Sequence, residues 1–304
     1  MPMKITLRQL EVFAAVANLG HVTRAAESVA LTQSAASMAL ADLEAQLGSP
    51  LFDRVGRVLQ LNEAGRRIQP RAQEILDRVR EIEALASDAT AAVDLRLGAS
   101  LTIGNHLMPA LLAELESRHV DSRIQLTLNN TELVLADLLA HRIDVGFVEG
   151  PVRDERIERY RWRADRLCVF AAAGHPLAGQ NTLPDDLRGE RWIVREKGSG
   201  TREVFDRALA NACITPNIRL ELEQPEAIRQ SVRAGLGIGC LSILELQDAF
   251  QAGWLAPVET HFLDLERDLQ VLVHRAKYLS NGVRSILALC GIEETRATPR
   301  ADAR

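Results

Sequence analysis

Three short polar clusters in this 304-residue chain combine hydroxyls, an amide, glycines and one guanidinium at spacings that suit an anion. Gly198-Ser199-Gly200-Thr201-Arg202 is the densest of them. Its glycines would let bare backbone amides approach an anion, its hydroxyls can donate, and its arginine adds a charged fork. The same residues also suit a flexible turn followed by a surface arginine. Ser100 and Thr102 form a second cluster, fitting either a plain helix cap or a pair of anion donors. Asn130-Thr131 forms a third, able to cap a helix and donate as well. Glu149, in Glu149-Gly150-Pro151, is discordant. A carboxylate there either pairs with Arg202 when no ligand is bound or faces a donor on the ligand.

A different chemistry is written near the start. Thr32 precedes Gln33, Ser34 and Ser37, and Leu31 lies in a turn with Val29 and Ala30. Gln can pair with adenine N6 and N7 in the major groove, and Ser can reach bases or phosphate. A solvated face of a small helical bundle would look the same, and periodicity alone does not separate the two. Arg54 and Arg57 then flank Val55-Gly56 between two short strand-like runs, as arginines at the tip of a wing that touches phosphate or the minor groove would.

The elements that must position these groups follow from patterning. Leu7, Leu10, Phe13 and Val16 recur every three residues on one helix face, which Gly20 ends. A short helix near 23–29 carries the small Ala25 and Ala26. Thr32 caps a third helix over 33–47, where Ala36, Leu40, Leu43 and Leu47 form the buried stripe and Gly48 the stop. From 63 to 92 the chain reads as one helix of roughly 45 Å at 1.5 Å per residue. Ile68, Ala72, Ile75, Val79, Ile82 and Ala86 are spaced as a coiled-coil seam, and Pro70 should kink the early turns. Beyond Val93, strand-like and helix-like runs alternate, which predicts an α/β half with two sheets. Its helices fall near 103–117, 131–140, 202–211 and 280–291. The chain is expected to cross between two subdomains near 163–168 and 264–269, leaving a cleft. Ligands of such folds sit beyond the carboxyl ends of strands, where the polar clusters fall.

Composition narrows the class. The net charge is −5, yet residues 1–71 hold eight Lys+Arg against six Asp+Glu, a net of +2 that leaves −7 for the rest. A locally basic end on an acidic chain suits phosphate contact at that end only. No apolar run approaches the ~20 residues that span a bilayer. The opening MPMKITLRQLEVF reads as an amphipathic helix instead of a signal peptide, so a cytoplasmic protein is expected. Cys168, Cys213, Cys240 and Cys290 are far apart, and apolar neighbours at three of them suggest buried structural thiols. No G-x-S-x-G, H-E-x-x-H or complete phosphate loop occurs, so an enzyme is not expected. A small-solute-binding protein without a transcriptional role would explain the second half alone.

The pieces RQLEVF, AAESVALTQSAAS, LEAQLGSPLFDR and LNEAG lie in one gapless stretch of about 60 residues that resembles the winged helix-turn-helix of LysR-type transcriptional regulators. The second half is similar more loosely, through AGHPLAG, GLGIG and HRAKYLSNGVRSILALC. The resemblance implies an α+β multidomain protein. Residues 1–62 would read DNA, 63–92 would form a linker and dimerisation helix, and 93–294 a periplasmic-binding-protein-like effector domain. In that domain 93–164 and 268–294 make subdomain I and 165–267 subdomain II, while 295–304 is expected to lack order. It places Thr32, Gln33, Ser34, Ser37 and Met38 at the major groove, with Arg54 and Arg57 on the wing. Met38 stands where many members carry Arg or His, and Asn62 where Thr is frequent. The implied partners are double-stranded DNA with a pseudo-palindromic site, a second copy through the linker helix, a tetramer as is common in the family, and a small effector but no cofactor or metal. The pattern looks most like the branch sensing small inorganic anions or short carboxylates. Ser100, Thr102, Asn130, Thr131, Glu149 and Gly198 to Arg202 are then the expected effector contacts.

Overall fold

A computed structural model describes residues 4–56, 58–86, 93–120 and 122–293. The chain begins with helices α1 (Leu7–Leu19), α2 (Val22–Ser28) and α3 (Gln33–Leu47), followed by the hairpin β1 (Phe52–Val55) and β2 (Val58–Leu61). Local signals set these limits. Thr6 and Gln9 form a reciprocal capping box on α1, and Gly20 closes it at φ 69°. Thr32 Oγ1 accepts from Ala35 N at 3.2 Å at the start of α3, and Gly48 ends it at φ 72°. Phe13, Val16, Ala25, Ala36, Leu43 and Leu51 are buried together as the core of this head. The hairpin is held to the bundle by Leu59 N–H donating to Gly20 O at 2.8 Å.

Helix α4 (Glu63–Ala86) continues through Pro70. Ala72 and Leu76 are buried in the core of the N-terminal head. Ile75 and Ile82, in contrast, are 43% and 65% exposed. The expected seam is therefore corrected. It merged two faces, because an apolar stripe wider than 100° can serve one contact within the chain and another outside it. Ala72 belongs to the inner face. Ile75 and Ile82 remain on the outer one, Val79 is half-buried, and the Ala86 side chain, like residues 87–92 and the 295–304 tail, lies outside the described residues.

The second half runs β3 (Asp94–Ser100), α5 (Leu101–His106), α6 (Met108–Arg118), β4 (Arg123–Asn129), α7 (Thr131–Leu139), β5 (Val145–Glu149), β6 (Ile157–Ala172), β7 (Arg191–Arg195), α8 (Gly200–Asn211), β8 (Asn217–Leu222), α9 (Pro225–Arg233), β9 (Ile238–Ser242), α10 (Ile243–Gln251), β10 (Leu255–Val258), β11 (Glu266–His274) and α11 (Asn281–Leu289). The single helix expected over 103–117 is two, broken at Leu107 just ahead of Pro109, where a proline near the first turn starts a new helix readily. The two expected sheets are continuous, in the order β4-β3-β5-β11-β6-β9-β7-β8, with β10 also paired to β6. The sixteen-residue β6 makes the join. It pairs with β11 from Ile157 to Arg166 and with β9 from Leu167 onward. Helices cover both faces of the second half. Val169 and Trp192 enter one core, while their neighbours Phe170 and Ile193 enter the other.

Candidate functional site

The start of α3 presents its polar face outward, opposite buried Ala36, Leu40 and Leu43. Gln33, Ser34 and Thr32 are exposed and Ser37 is half-buried. Gln33 Nε2 donates to Ser37 Oγ at 2.9 Å, and Thr32 Oγ1 lies 3.1 Å from Ser34 Oγ. These bonds order the face in advance of contact. Met38 is 66% exposed beside them, a thioether able to meet a thymine methyl. Arg54 is exposed on β1, paired in register with Leu59. Arg57 lies outside the described residues.

The second site lies between the subdomains. The parallel strands β4, β3 and β5 end at Asn129, Ser100 and Glu149, and Ser100 sits in register with Asn129. Across from them β7 ends at Arg195 and α8 begins at Gly200. The two sides touch. Glu132 N–H donates to Gly198 O at 3.1 Å. A Cβ on Gly200 would fall 1.9 Å from Glu149 O, so only glycine permits this approach. His106 Nε2 and Glu245 Oε2, 2.9 Å apart, form a further contact across the gap.

Inside, Ser100, Thr102, Thr131, Glu149, Ser199 and Thr201 are all buried. Ser100 is the N-cap residue of α5, yet its hydroxyl donates to Glu149 Oε2 and makes no capping bond. Thr131 Oγ1 donates to the Glu149 carbonyl at 3.0 Å. Asn130 caps α7 by accepting from Leu133 N–H at 3.0 Å.

Arg202 does not pair with Glu149. Its Nε donates to Asp206 at 2.8 Å, and its Nη1 to Arg195 O and Glu221 Oε2, each at 2.8 Å. No hydrogen bond joins it to Glu149 among the described residues. The cation of the cleft is instead Arg267, which sequence reading missed. Arg267 Nε donates to Asp165 Oδ2 at 2.6 Å, and its Nη1 donates to Thr201 Oγ1 at 2.9 Å and lies 3.7 Å from Glu149 Oε1. Asp165 accepts from Ser242 Oγ at 2.7 Å on its other oxygen. The side chains of Arg267 and Glu149 are each 1% exposed. Arg267 Nη2 and Ser199 Oγ are buried and have no hydrogen-bond partner among the described residues. A signal for Arg267 existed. It shares the strand face of Leu269 and Val271 at a period of two, so its side chain had to be buried.

Burial leaves three of the four thiols poorly suited to redox sensing. It pushes the Cys168 and Cys290 thiols up to about 12 and raises that of Cys240 as well. Of the four, Cys240 is buried as expected, Cys168 and Cys290 are half-buried, and Cys213 is exposed at φ 56°. No group of three or more candidate metal ligands occurs among the described residues, and no described helix is long and apolar enough to cross a membrane.

Comparison with known proteins matches this arrangement over most of the chain. The family model "Bacterial regulatory helix-turn-helix protein, lysR family" matches residues 7–66, and "LysR substrate binding domain" matches 90–292. The uncharacterized HTH-type transcriptional regulator YeiE of Escherichia coli K12 is 44% identical over 288 residues, covering 95% of this chain and 98% of that protein. A full-length OxyR variant from Pseudomonas aeruginosa shares the fold with a TM-score of 0.74 at 22% identity, over 95% of each chain. The Synechocystis CcmR regulatory domain in complex with 2-PG gives a TM-score of 0.61 at 28% identity, covering 65% of this chain and 95% of that one. With a winged helix-turn-helix, a linker helix and a two-lobed effector domain in this order, the chain belongs to the LysR family of bacterial DNA-binding transcriptional regulators.

Proposed function

We propose that this regulator responds to a small anion, an inorganic oxyanion or a short carboxylate, bound between the subdomains of its effector domain. The observation carrying this reading is the pair of unpartnered, buried donors, Arg267 Nη2 and Ser199 Oγ. Leaving such groups unpaired costs on the order of 1–3 kcal/mol each, more for a charged one, and a ligand with acceptor oxygens removes that cost. The N-termini of α7 and α8 add positive partial charge at the same cleft. Ser100, Thr102, Asn130, Thr131, Glu149, Gly198, Ser199, Gly200 and Thr201 are the proposed surroundings, with Arg267 taking the role expected of Arg202. The complex of the CcmR regulatory domain with 2-PG supports a small ligand in this fold. An anion touching both sides favours the closed form, and only such differential affinity can shift a regulator. Thr32, Gln33, Ser34, Ser37 and Met38 would read bases, Arg54 and Arg57 phosphate. The outer face of α4 would pair with a second copy, and a tetramer would follow from further contacts between effector domains.

Titration calorimetry of the full-length protein against small oxyanions and carboxylates, at fixed ionic strength, tests the effector assignment. Saturable binding that Arg267→Met and Ser199→Ala each weaken supports it. Binding unaffected by both substitutions, or no binding at all, contradicts it.

A further inference from the structure

Buried between the subdomains are one guanidinium and two carboxylates, Arg267 with Glu149 and Asp165, and all three side chains are at most 4% exposed. The two acids are not equivalent. Both oxygens of Asp165 accept short bonds, from Arg267 Nε at 2.6 Å and from Ser242 Oγ at 2.7 Å. Asp165 therefore aims Arg267. Glu149 accepts from Ser100 on Oε2, while its Oε1 stands 3.7 Å from Arg267 Nη1, beyond hydrogen-bond length. Nor can Glu149 retreat easily. Its carbonyl is held by Thr131 and lies against Gly200 without room for a Cβ. An anion meeting the free donors of Arg267 and Ser199 is thus placed beside a fixed, ionisable acceptor.

From this geometry we infer that Glu149 makes the cleft select, among small anions, those carrying a hydrogen-bond donor of their own. The inference rests on the anion reading above and adds to it. An anion with an O–H or N–H can point that group at Glu149 while its acceptors meet Arg267 and Ser199. An anion of the same shape without a donor sets lone pairs against a buried carboxylate. Sites built around a polar partner reject ligands lacking the matching group far more strongly than apolar pockets reject a wrong size. The two helix N-termini and Arg267 offset Glu149 and Asp165, which leaves little positive potential to hold a dianion that has no proton.

Three matched pairs of probes test this on the full-length protein by calorimetry near pH 7. Bicarbonate and nitrate are both planar monoanions, and only bicarbonate has an O–H. Phosphate carries at least one proton at this pH and sulfate none. Glycolate carries a hydroxyl that acetate lacks. In each pair that binds, the donor-bearing member is expected to bind at least about 100-fold tighter. Glu149→Gln, whose amide can donate, is expected to narrow or reverse that ratio. Equal affinities within the pairs for wild type overturn the inference and leave the anion reading standing. A uniform loss for both members in Glu149→Gln, with the ratio kept, also overturns it, because a merely structural role moves affinity without moving preference. Silence from all six probes overturns both readings.

Discussion

Lys277 of the effector domain donates to Asp77 of the linker helix, Nζ to Oδ2, at 2.6 Å. The same Nζ lies 2.9 Å from Asp144, whose carboxylate also receives Arg96. Lys277 follows β11, the strand that carries Arg267 at its other end. One strand thus runs from the cleft to the helix that bears the DNA-reading head. A shift of β11 on ligand binding would reach α4 through this buried ion pair.

Lys277→Met removes the cation and leaves Asp77 and Asp144 buried with fewer partners. Breaking a buried pair from one side costs about 3–5 kcal/mol, and the remaining bonds from Gln73, Arg80 and Arg96 favour the low end. Urea denaturation should show a loss near 3 kcal/mol, about the lower limit of that range. An unchanged midpoint would mean the bridge does not hold the domains together.

Gly200→Ala acts on closure. The added Cβ would sit 1.9 Å from Glu149 O, and that atom is backbone that cannot yield cheaply. The variant should fold, hold the cleft open and bind any anionic effector at least about tenfold more weakly, in proportion to the lost closed population. Calorimetry with an anion that binds wild type, alongside circular dichroism, reads both points. Wild-type affinity would show that closure is not required.

For DNA reading, Gln33→Ala should cost roughly 1–3 kcal/mol on a specific duplex and little on a scrambled one. Gln33 rests on Ser37 at 2.9 Å, so Ser37→Ala should lower specificity by less, through lost ordering of the amide. Anisotropy titrations on both duplexes decide. Equal losses on the two would remove Gln33 from base readout.

The outer face of α4 gives a further test. Replacing Ile75 and Ile82 by Asp leaves the inner contacts of Ala72 and Leu76 intact and places charges where a second helix would pack. Light scattering should report a smaller assembly with unchanged helical content. The wild-type mass would refute dimerisation through this face.

His106 is raised above its ordinary value by its hydrogen bond to Glu245, opposed by desolvation, with Asp248 adding to the rise and Arg229 reducing it. For a raised folded-state value the contribution to stability is complete below the ordinary value of about 6.5 and fades as pH climbs through the raised one. The gap in urea midpoint between wild type and His106→Gln should be widest near pH 5.5 and shrink toward pH 8.5, on the order of that titration range. A gap that widens with pH would contradict the assignment.

What could be read in the chain beforehand was local. Thr32 and Gly48 bound α3 because a cap and a left-handed stop need only their neighbours. The polar face of α3 follows from a period of 3.6, and the end of β3 from apolar residues giving way to Ser100. What escaped was long-range. Arg267 meets Thr201 across 66 positions, and only the crossing of β6 and β11 brings Arg267 to the cleft. Ala72 looked like a seam residue because its partners on α1 lie far away in sequence. Arg202 was misread for a different reason. Asp206 stands four residues on, the spacing at which opposite charges pair along a helix, and that nearer partner holds the guanidinium away from Glu149.

An anion in the cleft should alter how the protein grips DNA. The most direct measurement is fluorescence anisotropy on a duplex selected by the protein from a random pool, titrated with a binding anion at constant ionic strength. Each protein is referred to its own affinity without that anion. Wild type should show a saturable change in duplex affinity at the concentrations where calorimetry reports binding, and Arg267→Met should need far more anion for the same change. A change that tracks ionic strength alone, or the same curve for both proteins, would contradict the claim.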